Sequence, residues 1–484
     1  MIPRRLRPSV PFLVFTLPLV VYLACLNGVW ATDHPTSFLD LDYAIYANHS
    51  FVIGKVGQYV KNSVDIFPYK GYYYTASAPG SAVLAYPLVS LGFYLEGGFT
   101  VHGKVMLLSE AFVAIANSLA VLILYQVGRK FFCSERSAVF VAFAYAFSTI
   151  SWPFATYFFQ SDVSSLFVML GVYLVLDAKR NRTEDFSKVK VALCGVALGT
   201  ALTVDYVDAI LLPLFFGYLF LSSRGPLVAK SKGAVIFLAT ALLGVCLLLS
   251  YNSVSFGSPF TTSEQLYLGS SGPFSGFSYY LPAGLLLNFF TPLRGLFVYS
   301  PVMVIGVIGF YRKLGFSYFD TRIFFLLTLS LGIIIPYSMW YGPEAGISFG
   351  PRFLVPAMPL LLLPIGSVID ASKGKRVVVL SYILYSVGVV VNGLAALVTA
   401  IPPSLSWLSS PFLSDVWPAF SGGRLDVWWI SQIGGFWMAG VVLIVSIAAV
   451  SPLVGDLRRT VLGVQRPQRT QAPTTVAGSR LTSE

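Results

Sequence analysis

Residues 104–127 read KVMLLSEAFVAIANSLAVLILYQV, a run of 24 positions with one lysine and one glutamate. A helix of about 20 apolar residues crosses the roughly 30 Å hydrocarbon core of a bilayer. Similar runs recur along the 484-residue chain, which is only 11% charged, whereas soluble domains are about 25% charged. Because an α-helix satisfies its own backbone hydrogen bonds in lipid, we predict an all-α, polytopic transmembrane helix bundle of about 12 spans. The predicted spans are residues 11–30, 104–127, 137–158, 163–178, 190–205, 208–222, 233–251, 284–310, 322–340, 353–370, 376–399 and 430–451.

The basic residues divide unevenly between the two sides of this predicted topology. With the N-terminus inside, the inner segments hold 25 of the 32 lysines and arginines, and the outer segments hold seven. Aspartates and glutamates divide the other way, with eight inside and 13 outside. Because Lys and Arg accumulate in cytoplasmic loops, we predict a multi-pass plasma-membrane protein with cytoplasmic termini. The net charge of +11 therefore reflects membrane topology and does not indicate nucleic acid as a partner.

The predicted topology separates a membrane domain from a tail. Residues 1–451 form the membrane-embedded domain, and residues 452–484 form a basic cytoplasmic tail that we predict to be disordered. The first outer loop, residues 31–103, is the longest, and we predict short interfacial helices within it, including one over residues 82–95. Outer loops of this length with structure of their own are usually functional. The other outer loops rich in Gly, Pro or aromatic residues are 252–283, 340–352 and 401–429.

Two carboxylates, Asp40 and Asp42, follow the first span in the segment SFLDLDYAIYA. A partly desolvated carboxylate beside the membrane can have a raised pKa and act as a general base. It could equally hold a divalent cation such as Mg²⁺ or Mn²⁺. Because residues two apart do not share a helix face, we predict that one of the two is catalytic. The alternative is that Asp40 only caps a helix that begins at Tyr43.

Arg294 and Arg352 are outer arginines near the ends of predicted spans. A guanidinium group binds phosphate through two parallel hydrogen bonds, so both are candidates for substrate binding. The alternative is that they extend to the lipid headgroups. Glu264 and Glu344 lie in irregular outer loops and are candidates for binding sugar hydroxyls. The other polar outer residues, for which a plain role at a helix end is an equal alternative, are Gln160, Asp162, Asp205 and Asp208.

The sequence holds no motif for a soluble nucleotide or a metal cluster. It has neither a Gly-x-x-x-x-Gly-Lys loop nor a Rossmann fingerprint, and its four cysteines and three histidines follow no metal-binding spacing. An enzyme of this kind must therefore draw its activated substrate from the membrane. A transporter or flippase is the alternative, but it needs charged groups along a path through the bilayer. Charged residues in the middle of the predicted spans are nearly absent.

Several short segments resemble a known superfamily. They are the acidic segment LDLDYAIYA, GYYYTASAPGSAVLAYP from residue 71, GRKFF from 128, YNSVSFGSPF from 251, TPLRGLFVYSP from 291 and SFGPRFLVPAMPLL from 348. In this order they resemble the GT-C superfamily of lipid-linked glycosyltransferases. The resembling branch contains the dolichyl-phosphate-mannose protein mannosyltransferases, the lipid A aminoarabinose transferases and their prokaryotic relatives.

The resemblance implies a polyprenyl-phosphate-linked sugar as donor and a glycan, lipid or protein acceptor at the outer face. It also implies that the essential acidic residue of the first outer loop lies in the region of Asp40 and Asp42. A GT-C-like protein without catalytic activity is a further alternative.

The resembling relatives often carry a lysine just before the proline of the second segment, where this chain has Ser77 and Ala78. Lys70, Arg294 or Arg352 would then supply the missing phosphate contact. Tyr74, in the same segment, is a further candidate for substrate binding.

These candidates predict one geometry. Asp40 or Asp42 should meet Arg352 and Arg294 in a single outer cavity that opens sideways to lipid. By analogy with glycoside-cleaving sites, carboxylate and guanidinium should lie about 6 to 12 Å apart, which leaves room for a sugar.

Overall fold

The structure, a computed structural model, describes most of the chain up to residue 428. The predicted span at 430–451 and the predicted tail at 452–484 lie outside the described residues, so the total of 12 spans stays a prediction. The described ranges are 9–28, 33–56, 65–99, 103–178, 186–223, 227–269, 276–314, 320–342, 348–371, 375–398 and 408–428.

The described residues form a bundle of α-helices, as the apolar runs predict. Six helices are long and apolar enough to cross a membrane, and three shorter apolar helices accompany them. Each predicted span before residue 400 overlaps at least one described helix. The prediction of a polytopic helix bundle is therefore confirmed. The six long helices are Lys104–Phe132, Gln160–Ala178, Ser231–Phe256, Thr321–Met339, Arg352–Ala371 and Arg376–Leu397.

The helices are numbered here in chain order. They are α1 (Val10–Ala24), α2 (Asp33–Asn48), α3 (Gly80–Glu96), α4 (Lys104–Val127), α5 (Glu135–Ser148), α6 (Ser151–Phe154), α7 (Gln160–Ala178), α8 (Lys188–Val204), α9 (Leu211–Ser222), α10 (Leu227–Phe256), α11 (Ser263–Tyr267), α12 (Leu281–Phe290), α13 (Leu296–Tyr299), α14 (Met303–Leu314), α15 (Thr321–Met339), α16 (Met358–Ala371), α17 (Lys375–Leu397) and α18 (Trp417–Ser421). Short 3₁₀ segments cover Tyr206–Ile210 and Arg352–Ala357, and π-helical turns cover Gly128–Phe132 and Phe412–Val416.

The predicted span at residues 284–310 is not one helix. It is divided among α12, α13 and α14, with breaks around Pro292 and Pro301. Proline has no backbone N–H to donate, and its ring clashes with the preceding helical turn, so each proline ends a helix. The hydropathy of the segment concealed these breaks, and Arg294 lies at the first of them.

The first outer loop contains a small sheet that the sequence analysis did not predict. Strands β1 (Gly54–Lys55), β2 (Ile66–Tyr69) and β3 (Tyr72–Thr75) form an antiparallel sheet in the order β1–β3–β2. Lys70 and Gly71 join β2 to β3 with positive φ angles of 47° and 84°. A two-residue turn of this kind matches the twist of paired strands. The aromatic run of β3 also favours a strand over a helix.

Helices α2 and α3 flank this sheet. Helix α3 contains the helix predicted over residues 82–95. Helix α2 begins at Asp33, with Pro35 in its first turn, a position that proline favours because its N–H is not needed there. The alternative in which Asp40 caps a helix beginning at Tyr43 is therefore wrong, because Asp40 lies inside α2.

A close contact between α8 and α10 fixes the helix that leads to the functional site. Gly199 and Gly244 face each other so closely that a Cβ added at Gly244 would lie 2.1 Å from the Gly199 carbonyl oxygen. Small residues let transmembrane helices approach in this way. The contact anchors α8, whose C-terminal cap is Asp205.

Candidate functional site

One polar cavity of about 110 Å³ lies where several of the predicted outer segments meet. Three carboxylates line it, and Arg352 is the only lysine or arginine among its described lining residues. Aromatic side chains form part of the remaining wall. The described lining residues are His34, Asp65, Ala76, Ser77, Ala78, Gln160, Val204, Asp205, Tyr206, Glu264, Tyr267, Leu268, Trp340, Tyr341, Arg352 and Phe353.

Asp205 lies in the turn between α8 and the 3₁₀ segment Tyr206–Ile210. Its Oδ1 accepts a hydrogen bond from the backbone N–H of Val207 at 3.1 Å. Its Oδ2 accepts a hydrogen bond from the hydroxyl of Tyr337, in α15, at 2.5 Å. Burial raises the pKa of Asp205, while these two donors and the charges of His34 and Arg352 act to lower it. Both carboxylate oxygens are thus held in place by separate elements.

Glu264 enters the cavity from the first turn of α11. Thr262 caps this short helix, and Gln265 bonds back to the Thr262 backbone, so the helix start is fixed on both sides. Burial, and then the negative charge of Asp205, raises the pKa of Glu264 to about 8. Of these two neighbouring carboxyl groups, Glu264 therefore keeps its proton at neutral pH. Burial also raises the pKa of Asp205, but Asp205 has more donors around it that favour its charged form.

Asp65, the third carboxylate, precedes strand β2 and pairs with a histidine. The Nδ1 atom of His34 lies 3.1 Å from Asp65 Oδ2, and the Nε2 atom lies 2.7 Å from Gln160 Oε1. His34 lies in the first turn of α2 and Gln160 begins α7, so the imidazole joins the predicted first outer loop to a membrane helix. The side chain of Asp65 is 25% exposed, against 10% for His34. Asp65 is therefore the more solvent-accessible residue of this pair.

Arg352 is buried between two phenyl rings. Its guanidinium carbon lies 4.6 Å from the ring centre of Phe159 and 5.1 Å from that of Phe353. The negative charges of Asp65 and Asp205 both act on this guanidinium. Stacking on aromatic faces fixes the plane of an arginine and leaves its N–H edges for a ligand. This arrangement suits a planar, bidentate contact with an anionic oxygen pair, such as a phosphate.

Comparisons with known proteins place this geometry in context. The family model for dolichyl-phosphate-mannose-protein mannosyltransferase matches residues 87–251. The crystal structure of ArnT from Cupriavidus metallidurans bound to undecaprenyl phosphate aligns with a TM-score of 0.56 at 14% identity, over 93% of this chain and 77% of ArnT. The archaeal oligosaccharyltransferase AglB from Archaeoglobus fulgidus, in complex with an inhibitory peptide and a dolichol-phosphate, aligns with a TM-score of 0.50 at 11% identity, over 80% of this chain and 55% of AglB. No curated protein sequence matches the chain.

The chain is similar to GT-C proteins in its fold and, over residues 87–251, in its sequence. The resemblance inferred from the short segments is therefore confirmed, and so is the multi-pass membrane fold. The charged cavity lies between the predicted first outer loop and the later predicted outer turns.

Two of the predicted site residues, Arg352 and Glu264, line the cavity. Asp40 and Asp42 are not among its described lining residues. Both are buried in α2, with exposures of 4% and 0%, and neither carboxylate oxygen of Asp42 has a hydrogen-bond partner. Their predicted catalytic role stays a prediction, but the expected geometry, with one of them beside Arg352 in a cavity, is not what the described residues show.

The remaining predicted site residues lie elsewhere in the structure or outside the described residues. Arg294 is fully buried and donates hydrogen bonds to the carbonyls of Leu293 and Ser348. Lys70 lies at the tip of the β2–β3 turn, with its amine near the Tyr69 ring. Tyr74 packs among aromatic side chains against Phe256. The predicted site residue that falls outside the described residues is Glu344.

The sequence did not single out His34 or Asp65 as site residues. For Asp205, it favoured a functional role no more than a plain role at the end of a helix. Ser77, which stands near the lysine position of the resembling relatives, does line the cavity. Its hydroxyl carries no charge, so Arg352 is the described cation placed for a phosphate. The described residues contain no group of three or more His, Cys, Asp or Glu side chains able to hold a metal ion. The divalent cation therefore stays an untested prediction.

Proposed function

We propose that this protein is a membrane glycosyltransferase that moves a sugar from a polyprenyl-phosphate donor to an acceptor hydroxyl at the outer face of the plasma membrane. Both termini are cytoplasmic in this proposal. The observation that carries it is the convergence of Arg352, Asp205, Asp65 and Glu264 on one cavity formed by the predicted outer segments. A transporter needs polar groups along its whole path through the membrane, whereas these four charged or titratable residues gather at one end of the bundle.

Arg352 binds the phosphate of the donor. As the bond between the sugar C1 atom and the phosphate oxygen breaks, its electron pair goes to the polyprenyl phosphate, and negative charge grows there. A fixed guanidinium stabilises that charge more in the transition state than in the ground state. The rings of Phe159 and Phe353 hold the guanidinium in its plane before the donor arrives.

Asp205 is the general base. It takes the proton of the acceptor hydroxyl while the acceptor oxygen attacks C1 from the face opposite the phosphate, which inverts the anomeric configuration. Two features favour Asp205 as the base over the other carboxylates. Hydrogen bonds hold both of its carboxylate oxygens in place. The neighbouring Glu264 has a pKa of about 8, so it keeps its own proton at neutral pH. Paired carboxyl groups whose pKa values are pushed apart commonly divide the acid and base roles in this way.

Asp65 and Glu264 orient the sugars. Protonated Glu264 can donate a hydrogen bond to a sugar oxygen, and Asp65 can accept one from a sugar hydroxyl. Because Asp65 is the more exposed of the His34–Asp65 pair, it is placed on the side from which an acceptor arrives.

The test is sugar transfer by the purified protein from a panel of radiolabelled polyprenyl-phosphate sugars. Asp205→Asn and Arg352→Gln should each lower kcat by about 10²- to 10⁴-fold, the range of general-base and charge-stabilising effects. Glu135→Gln, at the start of α5 in an inner loop, is the matched control and should retain full activity. Movement of the lipid across vesicles without cleavage of its sugar bond would show a flippase instead. Full transfer by Asp205→Asn would remove the base from the mechanism.

A further inference from the structure

A series of planar side chains, each close to the next, runs past the cavity. The imidazole of His34 stacks on Phe159 with ring centres 5.4 Å apart. The guanidinium carbon of Arg352 lies over the same Phe159 ring at 4.6 Å and over the Phe353 ring at 5.1 Å. The phenol of Tyr337 then stacks on Phe353 at 4.7 Å, with an angle of 13° between the rings. These five side chains, here called the stacked column, come from α2, α15 and the segments that begin α7 and α16.

Each end of the stacked column contacts a carboxylate. His34 contacts Asp65 at one end. At the other end, the hydroxyl of Tyr337 donates to Asp205. The column therefore joins the guanidinium at its centre to a carboxylate on either side. Rigid rings in van der Waals contact resist the small displacements that a flexible chain would permit.

We infer that Tyr337 is a positioning residue for Asp205, setting both the orientation and the ionised state of the general base relative to Arg352. This inference rests on the proposed function. Tyr337 is not among the described lining residues of the cavity, so it acts through Asp205 rather than on substrate. Its hydroxyl is held at the end of a membrane helix, and its ring is only 6% exposed.

The physical reason lies in the direction of the hydrogen bond. A phenol that donates to a carboxylate favours the charged form over the protonated form. A hydrogen bond to a charged group is also stronger than a neutral one, and more so in a site that excludes water. Tyr337 therefore counters the burial that would otherwise keep Asp205 protonated.

The experiment compares Tyr337→Phe with Tyr385→Phe. The first variant keeps the ring and its stacking and removes only the hydroxyl. Tyr385 is a matched control, because it is also buried in a membrane helix and its hydroxyl has no hydrogen-bond partner. For Tyr337→Phe we expect kcat to fall about 10- to 100-fold, as for loss of one hydrogen bond to a charged group. The KM for the donor should change less than about 3-fold, because Arg352 is untouched.

The pH dependence separates a positioning role from a merely structural one. Without the donor, the pKa of Asp205 rises, so the acidic limb of the kcat profile should move to higher pH in Tyr337→Phe. In a second variant, 3-fluorotyrosine at position 337 is a stronger donor and should move that limb to lower pH. This second variant also decides the question if Tyr337→Phe yields no folded protein. An acidic limb at the same pH in the wild type and the folded variants would overturn the inference. Full transfer by Asp205→Asn would instead defeat the proposed base.

Discussion

Replacing Arg352 by lysine keeps a positive charge in the cavity but removes the planar group between Phe159 and Phe353. Lysine has the length to reach the same region, so the variant separates charge from shape. If Arg352 only neutralises the negative charges of Asp65 and Asp205, the lysine variant should keep nearly the wild-type transfer activity. If it binds the donor phosphate through a fixed, bidentate contact, lysine should serve poorly.

The size of the effect follows from the two ring contacts, at 4.6 Å and 5.1 Å. A cation over an aromatic ring contributes about 0.5–2 kcal/mol, with the larger value at desolvated sites. Both contacts together amount to about 1–4 kcal/mol that holds the guanidinium in place. At about 1.4 kcal/mol per factor of ten, their loss lowers kcat/KM by roughly 5- to 1,000-fold.

The assay is steady-state transfer with a polyprenyl-phosphate sugar, together with competition by polyprenyl phosphate alone. Arg352→Lys should lower kcat/KM within the range given and weaken inhibition by the lipid phosphate. Arg322→Lys is the control, because the Arg322 guanidinium also lies over a phenylalanine ring, that of Phe132. Arg322 lies in the first turn of α15, at the end of the helix opposite Tyr337. Wild-type kcat/KM and unchanged inhibition in Arg352→Lys would refute the assignment of the phosphate site.

Three further outcomes are expected. Transfer should decline as pH rises past about 8, where Glu264 ionises beside Asp205, and Glu264→Gln should lose this basic limb in a pH–rate profile. Gly80→Ala should lower the free energy of unfolding by about 1–3 kcal/mol through overpacking, because the added Cβ would lie 2.4 Å from the α8 backbone. Thermal unfolding should therefore show a lower Tm for this variant than for Gly217→Ala, since nothing lies within 4 Å of a Cβ added at Gly217. Burial raises the pKa of Asp42 well above its usual range, so its destabilising effect grows with pH. Asp42→Asn should therefore raise Tm most at high pH and leave transfer intact, and lost transfer would support the catalytic role predicted from sequence.

The membrane helices could be predicted from sequence because their signal is local. An apolar run such as residues 104–127 is long enough to span a bilayer wherever it packs, and helix α4 duly covers it. The sheet in the first outer loop was not predictable in the same way. Its strands are two to four residues long, too short for a periodic pattern, and only the Lys70–Gly71 turn marks it. Likewise, mean hydropathy over residues 284–310 hides the two prolines that divide the segment.

The choice among carboxylates depended on packing that local sequence does not reveal. In the sequence, Asp42 is a polar residue of a predicted outer loop. In the structure it lies in α2, and the packing of α2 against its neighbours buries the side chain completely. In the sequence, Asp205 lies at the end of an apolar span, which is also the usual position of a helix-capping residue. The hydrogen bond that distinguishes it comes from Tyr337, 132 residues further along the chain. Only the fold brings such distant groups together.

The way the site is held predicts which substitutions affect rate and which affect acceptor choice. Arg352, Phe353 and Tyr337 belong to spans or to their first turns, so the bundle sets the distance between the phosphate site and the base. Asp65, by contrast, belongs to the first outer loop, and Tyr341, also in the cavity wall, is 48% exposed. In the proposed mechanism, the packed membrane helices thus fix the distance between the phosphate site and the base, because closely packed helices resist displacement. In the same proposed mechanism, the contacts with the acceptor come from loops, which can vary without disturbing the reaction geometry. One bundle can in this way keep a single transfer reaction while its outer loops adapt to different acceptors.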